Sequence, residues 1–274
     1  MFRKLFSGTR YAGIPEPVWA RCLASMPFLE RLSGPQRDLL LEHSQRFAAT
    51  KRFSGAAGFE VDDEVRATVS LQACLPVLAL GIEAYRDFVE IIVYPDRFLA
   101  PRQRVDDAGV VHEGIEELAG EAMDGGPVVL SWPDLQLEPG AVGSVVIHEF
   151  VHKLDMLDGE ADGFPPLSAA DRRRWSAALE AAYERFCEQL DEVERTIPID
   201  IDPESEAADE YYATLPLDPY AATDLAEFFA VSGEAFFTDP DGFDADFADL
   251  SECYRRFFRL DLRRRPADGG DGPT

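Results

Sequence analysis

Positive charge is scarce in this chain. It carries 26 Lys and Arg against 52 Asp and Glu, a formal net charge of −26 at pH 7. A surface of that sign repels phosphate backbones and anionic lipid headgroups, so neither nucleic acid nor a membrane surface is an expected partner. It suits a well-solvated exterior and a cation site. Cysteine is scarce too. Cys22, Cys74, Cys187 and Cys253 lie far apart and form no C-x-x-C pair. Such spacing supports neither a disulfide framework nor a structural zinc knuckle, and it predicts buried thiols in a reducing compartment. No apolar run reaches the roughly 18 residues that read as a membrane span. The opening "MFRKLFSGTRYAG" has no apolar stretch long enough for a signal peptide. The expected location is therefore the cytoplasm.

What is present is enough apolar material for a full core: 46% of 274 residues are hydrophobic. Residues 16–49 read as two helices, the second opened by Ser33 as N-cap with Pro35 in its first turn. A third helix is expected over 61–80, with acidic residues in its first turn and Pro76 kinking or ending it. The period then shortens. "DFVEIIVYPDRF" (87–98) reads as a strand, "GVVHEGI" (109–115) as a weaker one and "GGPVVLSW" (125–132) as another. A long polar helix is expected over 168–195, an acidic excursion over 197–215, and helices over 223–237 and 244–260. Helices, then a small sheet, then helices again make the class α+β.

Histidine is the rarest informative residue. There are four, and two of them fall in "VVIHEFVHKLDMLDG" (145–159). On a helix begun at Ser144, His148 and His152 sit one turn apart on the same face, roughly 6 Å from each other. They can offer two imidazoles to one ion. Glu149 stands beside the first, within reach of a water on that ion without binding the ion itself. This is the H-E-x-x-H arrangement of zinc hydrolases, and a chance match in a chain with four histidines has odds on the order of 1 in 200. Zinc is the expected cofactor, because neutral imidazole nitrogens bind it well and the ion makes water acidic enough to attack an amide. His43 and His112 read as surface or structural histidines.

A catalytic zinc site needs a third protein ligand. Asp158 lies six residues after His152, where metzincins place theirs, but Asp155 stands where that pattern has a glycine for the turn. Glu227, which opens the apolar run in "DPYAATDLAEFFAVSGEAFF" (218–237), is the other candidate; capping of its own helix is the alternative use of that charge. Glu234, two turns later on the same face, either orients a histidine or is simply exposed.

The segments "HEFVHKLDMLDG", "DPYAATDLAEFFAVSGEAFF" and "VVLSW" together resemble the Mlc titration factor A family of zinc metallopeptidases, whose catalytic core is similar to the protease domain of anthrax lethal factor. The resemblance runs in element order over about residues 15–262. It implies a zincin-like fold with a small mixed sheet and an active-site helix. The expected organisation is an N-terminal helical region (1–85) packed on a catalytic domain (86–262), with a disordered tail (263–274). It implies a gluzincin-type site: His148, His152 and Glu227 as zinc ligands, Glu149 as general base and Tyr220 as the phenol that stabilises the oxyanion. Tyr211 and Tyr212 are rival phenols without that support. The implied activity is aminopeptidase-like cleavage of peptides or small amides. For some members the resemblance also implies binding of a transcriptional repressor of sugar uptake, though no motif in this chain would recognise one. The competing expectation is a regulatory protein that sequesters such a repressor and keeps its metal for structure. Residues 127–131 are expected to form an edge strand that pairs with an extended substrate, the alternative being an interior strand with both edges covered.

Overall fold

The computed structural model describes residues 13–105, 111–135, 143–203 and 205–264. The chain opens with α1 (Glu16–Ala24) and α2 (Gly34–Thr50). Ser33 begins α2 as expected: its N–H donates to Gln36 Oε1 at 2.8 Å. Pro35 occupies the first turn, where a missing N–H breaks no helical bond. Asp62 caps α3 (Asp63–Cys74) by accepting from the Glu64 and Val65 N–H groups, both at 2.9 Å. The helix stops before Pro76, which cannot continue the ladder.

The strands described are β1 (Arg52–Gly55), β2 (Glu90–Tyr94), β3 (Phe98–Val105), β4 (Val111–Leu118), β5 (Gly120–Ala122) and β6 (Val128–Ser131). A four-stranded mixed sheet has the order β1-β2-β6-β5; β1, β2 and β6 run parallel, and β5 pairs antiparallel with β6. β3 and β4 form a separate antiparallel pair. His112 falls in β4 as expected. Residues 109 and 110 of that expected strand, and 265–274 of the expected tail, lie outside the described residues. Arg263, assigned to the tail by sequence, pairs with Asp244 and Asp261.

One expectation is corrected. Residues 127–131 do not form an edge strand: β6 is flanked by β2 on one side and β5 on the other, and all four of its residues are buried. The continuous apolar run marks a strand covered on both faces. The end strands of this sheet are β1 and β5.

The remaining helices are α4 (Val145–Asp155), α5 (Ala169–Glu194), α6 (Asp209–Tyr212), α7 (Leu225–Thr238), α8 (Pro240–Asp246) and α9 (Ala248–Phe258). The single helix expected over 244–260 is interrupted at Phe247, whose φ of −132° and ψ of 52° leave the helical region. The mixture of helices with a small mixed sheet bears out the α+β class. Among the described residues no helix is long and apolar enough to cross a membrane.

The core converges on α4. Val146, Ile147, Phe150, Val151 and Leu154 are all fully buried. The Phe150 ring packs against Phe47, Tyr85 and Phe88, with centroids 5.6, 5.0 and 5.7 Å away. Tyr85 Oη donates to the Phe150 carbonyl at 3.3 Å. Ser144 caps the helix by accepting from the Ile147 N–H at 3.1 Å, and its hydroxyl donates to Gln72 Oε1 of α3 at 2.6 Å. The first turn of α4 is thus fixed by a side chain from the N-terminal helices, and its back by an aromatic cluster.

Truncating Phe150 to Ala should destabilise the protein by about 3–5 kcal/mol, the usual cost of emptying a buried phenylalanine site. Denaturant unfolding measures it; a loss below about 1 kcal/mol would show that the ring cluster does not anchor α4.

Candidate metal centre

Two helices supply the donors. α4 runs with His148 and His152 on one face, as the four-residue spacing dictates. α7 brings Glu227 from the opposite side. Asp224 caps α7 by accepting from the Ala226 and Glu227 N–H groups, both at 2.9 Å, so the turn that carries Glu227 is held in place. Gly233 lets the two helices approach: a methyl group there would lie 3.0 Å from Val151 Cγ2.

The donor atoms form a nearly equilateral triangle. His148 Nε2 lies 3.1 Å from Glu227 Oε2, His152 Nε2 lies 3.2 Å from the same oxygen, and the two nitrogens are 3.1 Å apart. A tetrahedral zinc with bonds of about 2.0–2.1 Å spaces its ligands by about 3.3 Å. The triangle is therefore the right size for three ligands of one such ion. The donor set, two imidazoles and a carboxylate, suits a divalent metal. Of the sequence candidates, the structure brings His148, His152 and Glu227 together. Asp158 lies exposed at the end of a short 3₁₀ turn (Met156–Asp158) outside that cluster. The reason is visible at Asp155, which stays helical at φ −61° and ψ −46°, so the chain makes no turn back toward the histidines there.

Electrostatics agree with a cation site. Burial works against a charged His148, but hydrogen bonds with Glu227 and Glu234 outweigh it and hold its pKa well above the ordinary imidazole value of 6.5. Burial likewise pushes Glu227 upward, and its bonds to His148 and His152 overcome this and hold it far below the ordinary carboxylate range. Glu234 is not an exposed charge. Its Oε1 lies 2.8 Å from His148 Nδ1 and its Oε2 accepts the Ser144 N–H at 2.5 Å, so one carboxylate fixes the ring of a ligand and the start of its helix.

Glu149 is buried, 4% exposed, and lines the groove that leads to the triangle. That groove has a volume of about 1160 Å³. β5 forms part of its wall, and Tyr220 another part. Tyr220 sits in a 3₁₀ turn (Pro219–Ala222) capped by Asp218, with its ring centroid 6.2 Å from that of His148. Tyr212 also lines the groove, whereas Tyr211 faces a separate shallow pocket. His43 lies in α2, away from the centre, with burial lowering its pKa. Gly120, Asp224 and Gln72 were not singled out by sequence reasoning. Asp224 carried a legible signal, an Asp immediately before an apolar helix; the others depend on contacts between distant segments.

A model of the glucose-regulated metallo-peptidase M90 family matches residues 4–259. The chain is 37% identical over 262 residues to Mlc titration factor A of Cronobacter sakazakii, covering 92% of each protein. It is 36% identical over 258 residues to Mlc titration factor A of Salmonella paratyphi A, covering 92% of this chain and 91% of that protein. It is 35% identical over 263 residues to the protein of the same name from Escherichia fergusonii, covering 94% and 92%. A match over nearly the whole length, on a fold that assembles two imidazoles and a carboxylate around one point, is a family assignment: this chain belongs to the glucose-regulated metallo-peptidase M90 family, and with it to the family of Mlc titration factor A.

Proposed function

We propose that the chain is a zinc-dependent aminopeptidase-like enzyme that hydrolyses peptide or small amide bonds in the cytoplasm. The observation that carries this reading is the triangle of donors 3.1–3.2 Å apart, beside a buried glutamate on an open groove. His148, His152 and Glu227 would hold the ion, and zinc bound there would supply the Lewis acidity that makes water a nucleophile near neutral pH. Glu149 takes the proton from that water and passes it to the departing amine. Tyr220, which also lines the groove, donates to the oxygen that becomes negative as the carbonyl is attacked. Glu234 keeps His148 oriented. The four free thiols, three of them buried, suit a reducing compartment.

An extended peptide has a place to bind. The Ser131 N–H donates to the Ala119 carbonyl at 2.8 Å, and the Met123 N–H donates to the Pro127 carbonyl at 3.2 Å. In an antiparallel pair the hydrogen-bonding residues alternate, so residues 119, 121 and 123 face β6. The main-chain groups of Gly120 and Ala122 therefore face the open edge, toward the groove. A substrate strand added there gains backbone hydrogen bonds.

A second reading follows from the relatives' name. A titration factor binds a partner, and the chain on this reading sequesters a transcriptional repressor while its metal serves structure. An intact Glu149 beside the donor triangle favours catalysis, since a purely structural ion needs no base.

Replacing Glu149 with Gln should abolish hydrolysis of an amino-acid anilide while stoichiometric zinc is retained. Activity that survives would remove Glu149 from its role, and a wild-type protein inert on peptides and anilides alike would leave only the partner-binding reading. Ala122→Pro, which deletes an outward N–H without touching the β6 ladder, should lower peptide kcat/KM roughly tenfold, the scale of one lost hydrogen bond. A small anilide should lose less; equal losses, or none, would mean that peptides do not pair with β5. The raised pKa of His148 sets a pH dependence. In the metal-free protein its charged form stabilises the fold fully below pH 6.5, and this contribution is lost as pH rises through the higher folded value. Zinc needs the neutral ring, so the rise in Tm on adding zinc should keep growing with pH above 6.5. A rise that is already level at pH 6.5 contradicts the geometry around His148.

A further inference from the structure

α4 presents a row of residues to β5. Val145, Glu149 and Lys153 are each four apart and share one helix face. Gly120, the first residue of β5, lies over Val145 and Glu149. Lys153 Nζ reaches the other end, donating to the carbonyls of Met123 and Gly126 in the turn between β5 and β6. The edge strand therefore runs in the same direction as α4, seated at both ends.

The seat at Gly120 leaves no room. A Cβ there would lie 2.4 Å from Glu149 Oε1, 2.8 Å from Glu149 Cγ and 2.8 Å from Val145 Cγ1. Real carbon atoms do not approach so closely, so something must move. Val145 is fixed in the first turn of a buried helix. Lys153 prevents the far end of β5 from lifting. The neighbour with rotatable bonds is the Glu149 side chain, and any shift of it carries the carboxylate away from its present place on the groove.

We propose that Gly120 is a positioning residue for Glu149: the missing side chain at the start of the edge strand is what allows the glutamate to hold its carboxylate at the groove, and Lys153 keeps the strand at the height that makes this contact. The proposal rests on the peptidase reading for its kinetic consequence and on the contact itself for its structural one. Lys153 gives the clamp a second, separable function. It fixes the strand on which the peptide would lie, while Gly120 sets the base.

The test uses the full-length protein and two substitutions. Gly120→Ala should lower kcat on a peptide by about 10–100-fold, the effect of displacing a catalytic group by around an ångström. KM should change less than about threefold, with zinc bound stoichiometrically. Lys153→Met keeps the apolar stem but frees the two carbonyls. It should raise peptide KM severalfold with a smaller change in kcat. A crystal structure of the metal-free Gly120→Ala protein gives a readout independent of turnover. The Glu149 carboxylate should be displaced by about an ångström or more while the backbones of α4 and β5 stay in place. An unmoved Glu149, a strand that lifts instead, or an unchanged kcat would each overturn the proposal. If the wild-type protein hydrolyses no peptide, the peptidase reading fails alone, and the crystal structure still decides whether Gly120 positions Glu149.

Discussion

Three lone-pair donors held 3.1–3.2 Å apart repel one another unless a positive charge sits among them. That constraint organises the rest of the molecule. Two of the donors come from one turn of α4 and the third from α7, so these helices must pack closely and in one register. Gly233 removes the side chain that would separate them, and Asp224 fixes the turn that carries Glu227. The apolar faces of both helices then do the ordinary work of a core, each burying a row of aliphatic and aromatic side chains. The polar side chains His148, His152, Glu227 and Glu234 of the two helices meet at the ion site.

The two histidines are held differently. His148 has its second nitrogen on Glu234, and that carboxylate is itself tied to the Ser144 N–H. His152 Nδ1 is buried without a hydrogen-bond partner, and so is Oδ1 of Asp155 one turn later. Asp155 accepts the Gly163 N–H with its other oxygen, at 2.7 Å, and burial pushes its pKa up to about 7. His148 is thus held through both ring nitrogens, and His152 through Nε2 alone. A carboxylate behind an imidazole raises its basicity, so His148 is the more electron-rich of the pair.

The donor pair His148 and His152 is legible because local chemistry fixes it. A pair of histidines four apart with an adjoining glutamate, in a helix that is otherwise core, has few other physical uses. Two helix starts are legible for the same reason: Ser33 and Ser144 each announce a cap by residue type. The sheet was harder. β6 was found but read as an edge, because an apolar run records burial and not which neighbours cause it. β5 was overlooked, since three residues with a central Glu121 carry no periodic pattern. β1 is four residues long and was lost for the same reason. Asp155, standing where the rival pattern has a glycine, already weighs against Asp158 in the sequence, and the resemblance adds Glu227; the helical backbone at Asp155 agrees with both.

Glu227 follows His152 by 75 residues, and both belong to the donor triangle. During synthesis the histidine pair leaves the ribosome long before its carboxylate partner does. A nascent chain holding only α4 offers two nitrogens, which bind a transition metal loosely and release it readily. Firm capture waits until α7 has been made and has folded against α4. On the proposed ligand set, a complete donor triangle therefore exists only after α7 has been made and has packed on α4.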